Sequence, residues 1–207
     1  LSKVQLTTLT EEVLDKEFPL EIRVSVNEKE NSITIEDTGC GMTKEELISN
    51  LGTIASSGTL QYLQELQKEN KSVENLIGQF GVGFYSVFMV ATRVELTTRS
   101  WHSDSQAWAW GSDGGGEYQI EASDRKQRGT HIKVFLKEDA KEFCGEFRIE
   151  NIIKNHSNYL PFEIKIKDRV VNQVKALWTQ SKSDVSAEEY QAFYKQFSHD
   201  HQESLHH

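Results

Sequence analysis

Residues 20–26, Leu-Glu-Ile-Arg-Val-Ser-Val, alternate apolar with polar, and the alternation resumes at Ile33, Thr34, Ile35 and Glu36 after a polar stretch over 27–31. Two period-two runs joined by a turn of this composition predict a β-hairpin. Thr43 followed three residues later by Glu46 forms a capping box, and Leu47, Ile48 and Leu51 give the helix behind it an apolar face. A small-residue stretch over 52–58 leads to Leu60, Leu63 and Leu66, which recur on one face of a short polar helix. Residues 85–91 are apolar on nearly every side, which predicts a buried helix. The period then returns to two, with candidate strands over 93–99, 106–111, 117–122 and 130–136 separated by turns rich in Gly, Ser and Asp. A helix over 146–159, a strand over 162–167 and a tight turn at Asp168-Arg169 follow. This order predicts an α+β fold, a two-layer sandwich of a mostly antiparallel sheet covered by helices, occupying residues 1–168. Residues 169–207 change texture, with Ala176-Leu177-Trp178 and an amphipathic helix through Tyr190, Phe193, Tyr194 and Phe197, and read as the start of a second domain.

Composition narrows the picture. Of 207 residues, 37% are hydrophobic and 27% charged, the balance of an ordered chain rather than a disordered or fibrous one. The formal charge of -9 argues against a sequence-independent hold on nucleic acid. No run of eighteen apolar residues occurs, so no membrane-spanning helix is expected. Cys40 and Cys144 lie far apart with no metal-ligand spacing and read as free thiols. The chain opens on Leu1 with no charged leader, and reads as a processed chain or a fragment.

Two glycine-bearing segments carry candidate chemistry. Asp37-Thr38-Gly39-Cys40-Gly41-Met42 follows a strand directly, and the segment over 78–84 directly precedes the apolar stretch. An ionised Asp at a strand end accepts a hydrogen bond from an exocyclic amine, while Gly39 and Gly41 let the backbone turn around a flat ring, so Asp37 is suited to reading adenine. In the second segment, glycines can aim consecutive backbone N–H groups at phosphate oxygens, and the following helix adds its positive end. Asp-Thr-Gly alone is an ordinary turn. It also matches an aspartic-protease signature, but that chemistry needs a second carboxylate in a matching loop and a β-rich setting, and here a capped helix follows. The second segment lacks the Lys and Ser/Thr of a Walker loop.

Taken with Asn50-Leu51-Gly52-Thr53-Ile54-Ala55 and Gly129-Thr130, these segments resemble the ATP-binding motifs of the heat shock protein 90 chaperones, within the wider group of gyrase B, the MutL mismatch-repair proteins and histidine kinases. The resemblance spans essentially the whole chain and is strongest to the mitochondrial paralogue, with the bacterial branch as the alternative. It implies an ATP-dependent, stress-responsive chaperone that binds ATP/ADP with Mg²⁺, acts on client proteins and is homodimeric in the parent protein, in the mitochondrial matrix or, alternatively, the bacterial cytoplasm. By the same resemblance Asp37 takes the adenine amine, and Gly41, Met42 and Thr130 line the base pocket. Asn50, with Leu51 beside it, sits near sugar and phosphates, and Gly81, Val82, Gly83 and Phe84 hold phosphate and wall. The stretch over about 52–81 is the expected lid, in which Ser56 stands where the family often has a Lys or Arg.

The family takes its water-activating Glu, and an Asn for Mg²⁺ four residues later, from a helix upstream of the first hairpin. Leu1-Ser2-Lys3-Val4 resembles the last turn of that helix, so no catalytic residue is expected in this chain. Glu46-Leu47-Ile48-Ser49-Asn50 reproduces the Glu-x-x-x-Asn spacing but follows Asp37 instead of preceding it. The competing reading is a non-hydrolysing nucleotide-binding interaction module. His199, His201, His206 and His207 read as a solvated chain end, Trp101, Trp108, Trp110 and Trp178 as packing residues, and Lys3 as either a solvated lysine or a group approaching the sugar.

Overall fold

A computed structural model describes residues 1–52, 84–173, 185–186, 190–191 and 194–195. The predicted hairpin is present as β1 (Glu21–Asn27) and β2 (Ser32–Asp37), paired antiparallel from Ile22 opposite Asp37 to Asn27 opposite Ser32. Four strands follow close to their predicted places: β3 (Ala91–Arg99), β4 (Ala107–Ser112), β5 (Gln119–Ser123) and β6 (Gly129–Leu136). After β7 (Glu163–Ile166), β8 (Arg169–Val170) closes a hairpin in which Ile166 pairs with Arg169. The two residues between that pair are Lys167 and Asp168, with Lys167 at φ 57°, so the turn sits one residue earlier than the sequence reading put it.

Among the described residues the sheet has eight strands in the order β5-β4-β3-β6-β2-β1-β7-β8, and the β1–β7 pair is its one parallel contact. Alternation decides which face is covered. Val24, Ile33, Val94, Leu96, Trp110, Val134, Ile164 and Ile166 form one buried cluster with Leu47, Leu51, Tyr85, Phe88, Ile149 and Ile153 from the helical layer. Arg23, Glu36, Glu95 and Lys133 occupy the alternate positions, on the other face. The result is the two-layer α+β sandwich expected from the pattern.

The helical layer begins with α1 (Ser2–Thr7) and α2 (Lys44–Leu47). The capping box of α2 is complete: Glu46 N–H donates to Thr43 Oγ1 at 3.3 Å and Thr43 N–H to Glu46 Oε2 at 2.9 Å. A π-helical turn over Ile48–Gly52 continues it. The apolar stretch predicted as a buried helix is a 3-10 helix over Phe84–Met89 that buries Tyr85 and Phe88, with strand β3 starting at Ala91. A further 3-10 segment (Glu138–Cys144) leads into α3 (Glu146–His156), which turns Ile149 and Ile153 inward. Glu150 of α3 accepts both guanidinium nitrogens of Arg169, at 2.9 and 2.6 Å, tying the helix to the β7–β8 hairpin.

Residues 169–172, read from sequence as the start of the next domain, pack on this sheet. Val171 N–H donates to Ile164 O at 2.9 Å, and Asn172 Oδ1 accepts Ile164 N–H at 2.7 Å. A satellite core of Val4, Val13 and Trp101, with Leu20 and Cys40 against it, holds the N-terminal segment beside the end of β2. Trp110 lies in the main core and Trp101 in the satellite, as packing residues; Trp178 and the His-rich end lie outside the described residues.

Candidate functional site

The carboxyl end of β2, the amino end of β6 and the carboxyl end of β3 meet at one edge of the covered face. There Asp37 lies opposite Thr130, and Thr130 opposite Thr98. Two of these partners come from far along the chain, so the site exists only once the sheet has assembled. Asp37 Oδ1 accepts the N–H of Gly39 at 2.7 Å, the short local bond expected of Asp two residues before a turn amide. Burial pushes the Asp37 carboxyl above its ordinary range. The Gly39 amide, Arg125 and the Thr130 amide pull it back down. The wall beside it is apolar: Ile35, two residues earlier on the same face and opposite Ile132, is 40% exposed although that face is the covered one. An open apolar surface next to a desolvated acceptor suits a flat heteroaromatic ring bearing one donor.

Thr98, completely buried, organises the neighbouring backbone. Its Oγ1 accepts Met42 N–H at 3.0 Å, lies 3.2 Å from Gly129 O, and sits 3.1 Å from Thr130 Oγ1. Gly41, at φ 56°, and Gly129, at φ 101°, bring their backbones against neighbouring carbonyls. Asn50 reaches the site through Met42, its Nδ2 lying 3.8 Å from the Met42 sulfur. Leu51, buried, accepts the hydroxyl of Tyr85 on its carbonyl oxygen, and Phe84 meets Tyr85 and Trp110 edge-on at 5.6 and 5.7 Å. Asp37, Gly41, Met42, Asn50, Leu51, Phe84 and Thr130 thus belong to a connected set along one side of the sheet. Gly81, Val82 and Gly83, and the expected lid almost entirely, lie outside the described residues.

Glu46 is occupied by its capping role, and its other carboxylate oxygen lies 3.8 Å from Lys3 Nζ on the surface. Thr98, Ile35 and Arg128 were not singled out in the sequence. A threonine at a core-facing position of an alternating strand is a signal for Thr98. Ile35 reads as ordinary core, and Arg128 as one more charge in a polar turn. Among the described residues no group of three His, Cys, Asp or Glu side chains is placed to hold a metal ion. No helix among them is long and apolar enough to cross a membrane.

Comparison with known proteins bears on the fold and the family. Residues 16–113 match the family model for the histidine kinase-, DNA gyrase B-, and HSP90-like ATPase, and residues 166–207 match that of the Hsp90 protein. The chaperone protein HtpG of Chlorobium chlorochromatii is 50% identical over 94% of this chain and 31% of its own length. That of Chlorobaculum tepidum is 48% identical over 99% and 33%. That of Desulfotalea psychrophila is 47% identical over 94% and 31%. The chain therefore spans about a third of the length of these relatives. All three come from bacteria, so the expectation of a mitochondrial paralogue finds no support in them. With the α+β sandwich and the carboxylate-centred site, these matches show that the chain belongs to the Hsp90 family and carries its ATPase-type domain.

Proposed function

We propose that this chain is the ATP-binding portion of a bacterial-type Hsp90 chaperone, with Asp37 reading the adenine amine. The observation that carries the reading is the Asp37 carboxyl: desolvated, with Oδ1 engaged by Gly39, beside the open apolar surface of Ile35 and opposite Thr130. Its second oxygen supplies the acceptor, while Met42 and Thr130 line the ring's surroundings and Gly41 sets the turn. Asn50 and Leu51 stand toward the sugar and Phe84 belongs to the wall, while the assignment of Gly81, Val82 and Gly83 to the phosphates rests on the family resemblance alone. Mg²⁺ has no fitting cage among the described residues and belongs, on this reading, with the phosphates and the helix preceding the hairpin. The relatives favour a bacterial cytoplasmic setting, and client binding and homodimerisation are properties of the longer protein. The structural domain is best bounded after Asn172, with the following unit beginning in the residues beyond.

On this reading Asp37 is committed to the base, and none of the residues assigned to the site is a second carboxylate that would activate water. Residues 1–207 should accordingly bind ADP yet turn over ATP at background rate. Phosphate release measured on this chain, beside a form extended by the upstream helix, checks this. Turnover by the 207-residue chain at the rate of the extended form contradicts it.

A further inference from the structure

Arg128 is 1% exposed, and a guanidinium so completely removed from water is expensive unless its donors are met. They are met in an unusual way, because among the described residues every hydrogen-bond partner of the side chain is a backbone carbonyl. Nε donates to Leu14 O at 2.8 Å, Nη1 to Gly39 O at 3.3 Å, and Nη2 to Asp15 O at 3.2 Å and Phe18 O at 3.4 Å. Among the described residues the carboxylate that Arg128 hydrogen-bonds is met by its backbone, Arg128 N–H donating to Asp15 Oδ2 at 3.1 Å. A planar fork presents five donors in fixed directions, so it holds carbonyls from two separate loops at set angles, where an ammonium offers three freely rotating donors.

The loop at one end of this clamp is the Asp37-Thr38-Gly39 turn. Gly39 offers its carbonyl to Arg128 and its N–H to Asp37 Oδ1, so the residue that fixes the carboxylate's rotation is itself fixed by the guanidinium. Arg128 also enters β6 immediately before Gly129 and Thr130, the pair packed against the Asp37 backbone and facing Asp37 across the strands. Gly129 has its position set from the same side, since a Cβ there would lie 2.1 Å from Asp37 O. A single side chain thus locks both backbone segments that flank the carboxylate to the loop over residues 14–18.

We propose that Arg128 is the positioning residue that gives Asp37 its selectivity for a purine bearing an exocyclic amine. The proposal rests on the reading of Asp37 as the adenine-reading group. With the clamp removed, the Gly39 amide no longer holds Oδ1, and the carboxylate rotates among orientations that serve an amine and a carbonyl equally poorly. On that reading the phosphates and sugar are held by other groups, so their contribution persists. Loss of Arg128 therefore damages discrimination between ADP and inosine diphosphate, which carries a carbonyl oxygen where ADP carries the amine.

The test is calorimetric titration of the whole 207-residue chain with ADP and with inosine diphosphate, in wild type, Asp37→Asn, Arg128→Met and Arg128→Lys. Wild type is expected to prefer ADP. Arg128→Met should lose about tenfold in ADP affinity while inosine diphosphate changes by no more than about twofold. Arg128→Lys, which keeps the charge and part of the contact set, should fall between. Arg128→Met strips a buried position of all its donors and can cost the fold; in that case Arg128→Lys decides, with reduced preference supporting the proposal and wild-type preference overturning it. Parallel weakening of both nucleotides overturns it as well, because that is the signature of a residue that only holds loops together. A wild-type chain with no preference, or Asp37→Asn with its preference intact, overturns the reading of Asp37 itself.

Discussion

Replacing Asp37 with Asn is expected to remove measurable ADP binding while leaving the domain folded. Gly39 N–H already occupies Oδ1 at 2.7 Å, so an asparagine keeps its carbonyl oxygen on that amide and turns its NH₂ toward the base. Donor then faces donor in a poorly hydrated site, and the affinity loss is at least about a hundredfold, on the order of 3 kcal/mol. Burial holds the Asp37 carboxyl above its ordinary value of 3.8, so the native state retains this proton to a higher pH than the unfolded chain does. The stability attached to that raised value is complete below the unfolded pKa and is lost as pH rises through the native one, leaving a buried charge that costs stability at neutral pH. The neutral isostere escapes that cost. Asp37→Asn should therefore melt at the same temperature as wild type or higher at neutral pH, and ADP affinity of the wild type should fall as the solution is acidified through the raised pKa. Calorimetry and thermal unfolding on the same preparations read both effects. Undiminished ADP affinity in Asp37→Asn contradicts the assignment.

The second large effect is expected at Gly129. A Cβ there would lie 2.1 Å from Asp37 O and 3.0 Å from Thr38 Cα, both backbone atoms that no rotamer change relieves, and the residue sits at φ 101°. Gly41→Ala meets the same obstacle, 1.8 Å from Arg99 O at φ 56°. Positive-φ strain and overpacking together cost about 3 kcal/mol or more, which for a domain of this size lowers the melting temperature by roughly 10 °C. Because the displaced atoms are those beside the carboxylate, ADP affinity should fall with stability. Gly111→Ala is the control: its nearest added contact is Val94 O at 3.9 Å, and its melting point should stay within about 2 °C of wild type. A Gly129→Ala variant as stable as that control would show that the close approach of β6 to the Asp37 turn is not required.

Much of the fold was legible because its strands obey the period-two rule on a sheet covered on one side. Leu96 and Trp110 point inward where the alternation says they must, and Thr43 with Glu46 announces the helix behind the Asp37 turn. Periodicity was silent on long-range pairing. Nothing local tells Glu21 that it will lie parallel to Glu163, or Asp37 that it will face Thr130. The apolar stretch after the second glycine segment shows the opposite limit. Its lack of a polar face signalled burial, yet Tyr85 and Phe88, three residues apart, suit a tight 3-10 turn as well as an α-helix, and Ala91 already belongs to a strand. At the site, Asp37 and its glycines were visible because their residue types are chemically demanding. Arg128 was not, since a buried clamp and a solvated loop arginine look alike until the carbonyls around them are placed.

On the proposed reading a purine occupies the end of the covered face, between β2, β3 and β6. Backbone amide chemical shifts recorded during ADP titration of the 207-residue chain test it most directly. Saturable changes are expected at Gly39, Met42, Thr98 and Thr130, with Arg23, Glu95 and Lys133 on the opposite face unmoved. Changes centred on those opposite-face residues, or on the hollow lined by Phe18, Arg23 and Glu36, would contradict it.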